Sequence, residues 1–246
     1  MKTTVALADW DADIVNIAAR ISESGFQRVV LCVEDKHVLY REDNVIEAVK
    51  ILQSHGLEVH LDPWGIQGFA GESTSHPHAF YGWLRLAAKT SADGIMLDEP
   101  TQHTKMSINQ IFEAVEEYAP GMWLHLAIQP ENLTKELAQR VDEVSISAYF
   151  FGRQLTMASP TSLEEQVDDW FEEYRDCFES AWVQLWSIPE GKEWIPPYLI
   201  NLWHERGVDV NIWAWDAFRT VSSKRPTNPD LVWAHTLRTL DILGQD

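Results

Sequence analysis

Eight times along the chain, a short apolar run gives way to a window whose apolar residues recur at helical spacing. The runs are TTVALADW from Thr3, RVVLCVED from Arg28, LEVHLDPW from Leu57, ADGIMLDE from Ala92, MWLHLAIQ from Met122, EVSISAYF from Glu143, AWVQLWSI from Ala181 and DVNIWAWD from Asp209. Runs this short, rich in Val, Ile and aromatic residues, predict strands buried on both faces. The helical windows fall near 12–24, 44–55, 78–90, 107–118, 133–140, 161–179, 193–206 and 229–243.

Punctuation supports these elements. Asn44-x-x-Glu47, Ser107-x-x-Gln110 and Ser162-x-x-Glu165 have capping-box spacing, and Asn228-Pro229 predicts a cap followed by proline in the first turn. Gly25, Gly56 and Gly207 each follow a helical window and precede a strand, the place for a left-handed C-terminal glycine. Asn132-Leu133-Thr134 matches a glycosylation sequon, but Asn132 reads as a helix cap.

Eight strand–helix units in 246 residues predict a single (β/α)₈ TIM barrel spanning 1–246 as one domain. A doubly wound open sheet is the rival, and it would carry a glycine-rich turn after its first strand. That turn here is ADWDAD, without glycine.

Charge narrows the partners. A formal net charge of −19 argues against a nucleic-acid backbone or an anionic membrane surface, each of which needs a basic face. No apolar run approaches the length of a membrane span, and the N-terminal stretch is too short for a signal peptide, which predicts a cytoplasmic protein. The two cysteines make neither a disulfide framework nor a metal spacing, and Cys32 in RVVLCV reads as a small core residue.

In such a barrel, chemistry gathers at the C-terminal strand ends and stability at the opposite rim. Sorting by strand end places Asp9 and Trp10 on the first, Glu34 and Asp35 on the second, and Asp62 and Trp64 on the third. Asp98 and Glu99 end the fourth, Gln129 and Glu131 the fifth, and Tyr149 the sixth. Trp186 and Glu190 follow the seventh, and Trp213, Trp215 and Asp216 the eighth. The other rim, with Thr3, Arg28, Glu58 and Glu143, reads as plainer. The loop DPWGIQGFAGESTSHPH after the third strand carries three glycines and Glu72, which could reach inward. Twelve Trp, several at strand ends, exceed what core filling requires. Carboxylates that accept from hydroxyls, beside indole faces that stack on sugar rings, suit a small, neutral, carbohydrate-like ligand.

Leu97-Asp98-Glu99-Pro100 resembles the Asn-Glu-Pro signature that ends the fourth strand in the large retaining glycoside hydrolase clan of (β/α)₈ barrels. The resemblance implies Glu99 as general acid/base, Asp98 in the hydroxyl-binding place of the clan's Asn, and Glu190 in LWSIPEG as nucleophile. The run IWAWDAF is similar to the clan's Trp-rich eighth strand. The strand-end sorting predicts a ligand site lined by Asp62, Trp64, Glu72, Tyr149, Trp186, Trp213, Trp215 and Asp216, and neither cofactor nor metal is expected there. Two departures stand out: Asp98 replaces Asn, and Glu190 lies past the expected strand end. A weaker likeness is that of DGI-x-x-D to part of the signature of chitinase-type barrels, which Met96 interrupts.

Three other readings stay open. A metal-dependent sugar isomerase of the xylose-isomerase type would draw ligands from Glu34, Asp62, Glu99, His60 and His125, although both histidines read as mid-strand core residues. A non-catalytic carbohydrate-binding barrel would keep the Trp residues without needing two carboxyls of distinct protonation. A phosphosugar enzyme would use Arg219, Lys224 and Arg225 after the eighth strand. Amidohydrolases and Schiff-base aldolases fit poorly, since the first strand lacks His-x-His and no strand carries Lys.

Overall fold

The structure is a computed structural model. It describes residues 2–7, 13–35, 38–39, 42–62, 77–100, 106–148, 150, 153–184, 190–213, 233–234, 236–238 and 240–241. Eight parallel strands close into a barrel: β1 (Thr4–Leu7), β2 (Arg28–Cys32), β5 (Glu58–Asp62), β6 (Gly94–Asp98), β7 (Trp123–Ile128), β8 (Glu143–Ile146), β9 (Ser180–Gln184) and β10 (Asp209–Trp213). Each pairs with its neighbours in the chain, and β1 closes on β10 through Thr4–Asn211 and Ala6–Trp213. The remaining two strands, β3 (Glu34–Asp35) and β4 (Val38–Leu39), form a small antiparallel hairpin after β2. Glu34 and Asp35 therefore belong to this hairpin and do not end a barrel strand.

Helices α1 (Ile14–Glu23), α2 (Glu42–Ser54), α3 (Pro77–Lys89), α4 (Ile108–Tyr118), α5 (Lys135–Ala138), α6 (Arg153–Met157), α7 (Pro160–Tyr174) and α8 (Ile195–Glu205) link the barrel strands. Helix α1 shows why: Ile17, Ala18 and Ile21 form one buried stripe at i, i+1 and i+4. The stripes of the helices and the outward faces of the strands make one continuous core, including Val5, Leu31, Leu61, Leu97, Leu126, Ile146, Val183 and Ile212.

Several helix starts differ from the sequence reading. Ser107 caps α4 in a full capping box with Gln110, as expected. On α7, however, the cap is Ser159 with Ser162 at the third helical position, because Pro160 takes the first turn. Helix α2 begins at Glu42, so Asn44 lies inside it. Asn132 sits in a short 3₁₀ turn, and Thr134 caps α5 instead. Gly25, Gly56 and Gly207 do adopt the left-handed conformation predicted for them, with φ of 91°, 79° and 71°.

The N-terminal rim is not plain. Arg28, 1% exposed, donates through Nε to Glu58 Oε1 at 2.8 Å and through its guanidinium to Glu143 at 2.7 Å. Lys2 adds a 2.6 Å ion pair to Glu58 Oε2. Around this floor, an acid at the start of one strand accepts the first free N–H of its neighbour. Asp93 takes Val59 N at 2.9 Å, Asp142 takes Leu124 N at 2.8 Å, Glu179 takes Val144 N at 2.8 Å and Asp209 takes Lys2 N at 3.0 Å. These four acids are thus sheet caps that satisfy backbone donors.

Candidate active site

Alternation and register fix which side chains enter the barrel. Met96 pairs with His125, Ala127 with Ser145, Asn211 with Trp182, and Val30 with His60. The apolar part of the interior is small: Ala6, Val30, Cys32, Met96, Ala127, Trp182 and Trp213. Around it lie buried polar residues, among them His60, Asp62, Asp98, His125, Ser145, Ser147, Ser180 and Asn211. An interior this polar is costly unless its groups are partnered or used.

Its lower half is partnered only in part, since Nδ1 of His60 and Nδ1 of His125 are buried without a hydrogen bond. His60 lies 2.9 Å from Glu58 Oε1 on the floor side, and its ring meets His125 edge-on at 5.9 Å between centroids. His125 Nε2 reaches Ser145 Oγ at 2.7 Å, and Trp182 Nε1 donates to the same oxygen at 2.7 Å. Above His125 the rings continue as a stack, Trp182 at 6.2 Å and then Trp213 a further 4.5 Å along. Burial lowers the pKa of both histidines, and for His125 the neighbouring His60 and Arg28 add to it. Both are neutral core residues, as their mid-strand position predicts.

The upper end is different. Asp62 ends β5 and Asp98 ends β6; Asp62 is 0% exposed and Asp98 5%. Cys32, at the end of β2 and level with Asp62, donates its thiol to Asp62 Oδ2 at 3.5 Å. Burial first, then the charges of Asp62 and Glu99, push the Asp98 carboxyl well above the usual aspartate range. Asp98 Oδ1 is buried without a hydrogen-bond partner.

Glu99, also buried, has φ 42° and is the one non-glycine residue with positive φ among the described residues. A regular strand would turn Glu99 to the side opposite Asp98. The left-handed residue ends that alternation directly after Asp98, while Glu99 N still donates to Ala127 O at 2.7 Å. Such conformations in bulky residues are uncommon and gather at functional sites.

Of the expected site residues, the structure brings Asp62, Asp98 and Glu99 to one rim. Trp213 lies in the interior stack, 3% exposed, with its ring 4.5 Å from that of Trp182 between centroids. Glu190 is exposed on a turn just before α8 and lies outside the buried carboxyl group. Trp64, Glu72, Tyr149, Trp186, Trp215 and Asp216 lie outside the described residues. Trp182, Ser145 and Cys32 were not expected in the site's support; only cross-strand register reveals them. Among the described residues, no group of three or more His, Cys, Asp or Glu is arranged to hold a metal ion, and no helix is long and apolar enough to cross a membrane. An open cleft lined by Lys2, Gln53, Glu58, Asp93 and Trp123 lies on the opposite rim, away from these carboxyls.

No family model matches the chain, and no curated protein matches its sequence. Solved structures share the fold. A broad-specificity GH5-4 endoglucanase from Clostridum cellulovorans is 12% identical with a TM-score of 0.60, over 98% of this chain and 94% of that one. A thiamine phosphate pyrophosphorylase from Pyrococcus furiosus is 13% identical with a TM-score of 0.54, over 99% and 97%. A D-psicose 3-epimerase is 11% identical with a TM-score of 0.51, over 99% and 97%. These enzymes carry different chemistries on one barrel, so the likeness is one of fold.

Proposed function

We propose that this chain is a carbohydrate-active enzyme of the glycoside hydrolase type, acting on a small, neutral, hydroxyl-rich substrate through carboxyl acid–base chemistry. The observation that carries the reading is the group Asp62, Asp98 and Glu99. Three acids are drawn out of water at adjacent strand ends, and the surroundings set one apart in its protonation. Cleaving a glycosidic bond needs a protonated carboxyl and an ionised one at the same pH, and neighbouring acids in partly apolar surroundings supply that difference. In this reading Glu99 takes the acid/base role that the sequence resemblance implies, beside Asp98, whose carboxyl is the one its surroundings hold protonated, and the left-handed backbone of Glu99 ends the strand alternation at that point.

The isomerase reading finds less support. The two histidines it would recruit face Glu58 and Ser145, on the floor side of the carboxyls.

Glu99→Gln keeps the side chain's shape and removes its transferable proton. On a panel of 4-nitrophenyl glycosides and unactivated disaccharides, turnover of the unactivated sugars falls ~10²–10⁴-fold. Cleavage of the activated glycosides, whose leaving group needs little protonation, falls much less. Equal rates for wild type and variant on an unactivated sugar would end the reading. Glu190→Gln, measured alongside, tests the nucleophile implied by the sequence resemblance. If it accumulates no defect, the second carboxyl is another residue.

A further inference from the structure

We propose that His60 and His125 are held as opposite tautomers and that one ordered water, bound between their Nδ1 atoms, joins them into a hydrogen-bond chain from Trp182 to Glu58. The inference concerns the barrel interior and does not depend on the carbohydrate reading.

Ser145 decides the first tautomer. Its Oγ lies 2.7 Å from Trp182 Nε1 and 2.7 Å from His125 Nε2, and among the described residues these are its side-chain partners. An indole N–H can only donate, so Trp182 takes one lone pair of the oxygen. The hydroxyl hydrogen then has one acceptor in reach, His125 Nε2. A proton on Nε2 would instead leave both the hydroxyl hydrogen and the Nδ1 lone pair buried and unused, which costs more than leaving one group unmade. Glu143 Oε1 is 3.9 Å from Nε2, too far for a hydrogen bond there. His125 therefore carries its proton on Nδ1.

Glu58 decides the second. His60 Nε2 stands 2.9 Å from Glu58 Oε1. Arg28 Nε donates to the same oxygen and Lys2 pairs with the other, which keeps the carboxylate ionised. Two bare lone pairs would repel at that distance, so the His60 proton lies on Nε2 and its Nδ1 is a bare acceptor. Burial disfavours a second proton on either ring.

The interior thus holds a donor, Nδ1–H of His125, and an acceptor, Nδ1 of His60. Both atoms are buried without a hydrogen-bond partner among the described residues, and the rings meet edge-on with centroids 5.9 Å apart. Two hydrogen bonds of about 2.9 Å each, through one oxygen, can span rings at this separation. The occupant must accept from one ring and donate to the other, which water does and a metal ion does not. Each member of the chain then donates to the next: Trp182, Ser145, His125, water, His60, Glu58. Because the indole cannot accept, the chain has one direction and conducts no proton. Its effect is to position Trp182, and with it the stacked ring of Trp213.

Histidine-selective nitrogen-15 labelling tests this in the wild type, since magnetic resonance distinguishes a protonated ring nitrogen from a bare one. At neutral pH His125 shows its hydrogen on Nδ1, His60 shows its own on Nε2, and the His125 Nδ1 hydrogen cross-relaxes with a bound water. The rings are identified by contacts between their carbon-bound hydrogens and between His125 and the Trp182 indole. A His125 proton on Nε2, a His60 proton on Nδ1, or a His125 hydrogen with no bound-water contact overturns the proposal. Loss of that hydrogen on adding Zn²⁺ would make the pair a metal site and overturns it too. His60→Leu removes the acceptor, so the Trp182 indole hydrogen exchanges with solvent about 10-fold faster, as expected for one hydrogen bond lost from the chain. The buried Trp203 indole, outside the chain, is the control. Equal acceleration of both indoles would be general loosening and would overturn the positioning of Trp182.

Discussion

The His60 ring lies against the bare backbone of Gly94. A Cβ built there would stand 2.9 Å from His60 Nε2 and 2.8 Å from the Trp123 carbonyl oxygen. Gly94 points inward at the start of β6, so the interior has room for the histidine only because this residue has no side chain. Gly94→Ala should force a buried ring and a strand backbone to move, at about 1–3 kcal/mol. Urea unfolding checks this. An unchanged midpoint would mean that the floor repacks freely.

The same neighbourhood shows what sequence could and could not reveal. The motif DGI-x-x-D resembles part of a catalytic signature, yet Asp93 caps Val59 N and Gly94 makes room for His60. Both have structural reasons in this chain. The strands, most helices and the glycine stops were legible because hydrophobic runs and left-handed turns are local signals. The pairing of His125 with Ser145 and Trp182 was not, because it depends on the register of three strands. Caps were half legible. Where several Ser and Thr stand together, as in Ser159-Pro160-Thr161-Ser162, the proline decides which one caps. Glu190 was chosen as the acid that follows the seventh strand in the sequence, and the structure leaves it exposed on a turn. Asp98 and Glu99 were legible because two acids closing an apolar run are hard to explain as packing.

Ser145 is the single oxygen that serves both His125 Nε2 and Trp182 Nε1 in the buried interior. Ser145→Ala leaves the indole N–H and the imidazole nitrogen without partners in a space closed to bulk water. An unsatisfied buried polar group costs about 1–3 kcal/mol, so the loss should exceed that of Ser180→Ala, which strips one partner from Asn211. Chemical unfolding of the two variants compares them directly. A smaller loss at Ser145 would show that a water takes over its role.

The interior histidines make stability depend on pH in a definite direction. Burial holds the folded pKa of His60 and His125 below the ordinary value of 6.5. The unfolded chain therefore binds more protons as pH falls below about 6.5. Their contribution is fully present above that pH and is lost as pH falls toward the folded values. Glu58 acts in the same direction at lower pH. Burial alone would raise its pKa, but His60, Lys2 and Arg28 outweigh that and lower it. The part of the unfolding free energy that these histidines contribute should thus decline from pH 7 to pH 5. In a His125→Asn, His60→Asn double variant that decline should shrink. An equal slope in the variant would place the effect elsewhere.

Asp98 works in the opposite sense, and this connects stability to the proposed function. Its folded pKa is raised, by burial first and then by Asp62 and Glu99, so the folded chain keeps a proton that the unfolded chain releases. Stability contributed by that proton is complete below the unfolded value of about 4 and is lost as pH rises toward the folded one. Asn cannot ionise and carries no such loss. Asp98→Asn should therefore gain stability over wild type as pH rises from 4 to 7, with little difference at pH 4. Sites kept for binding are commonly less stable than a neutral replacement would make them. Unfolding midpoints of both proteins across this range test the point. A difference that stays constant with pH would show that burial and the neighbouring acids do not hold a proton on Asp98.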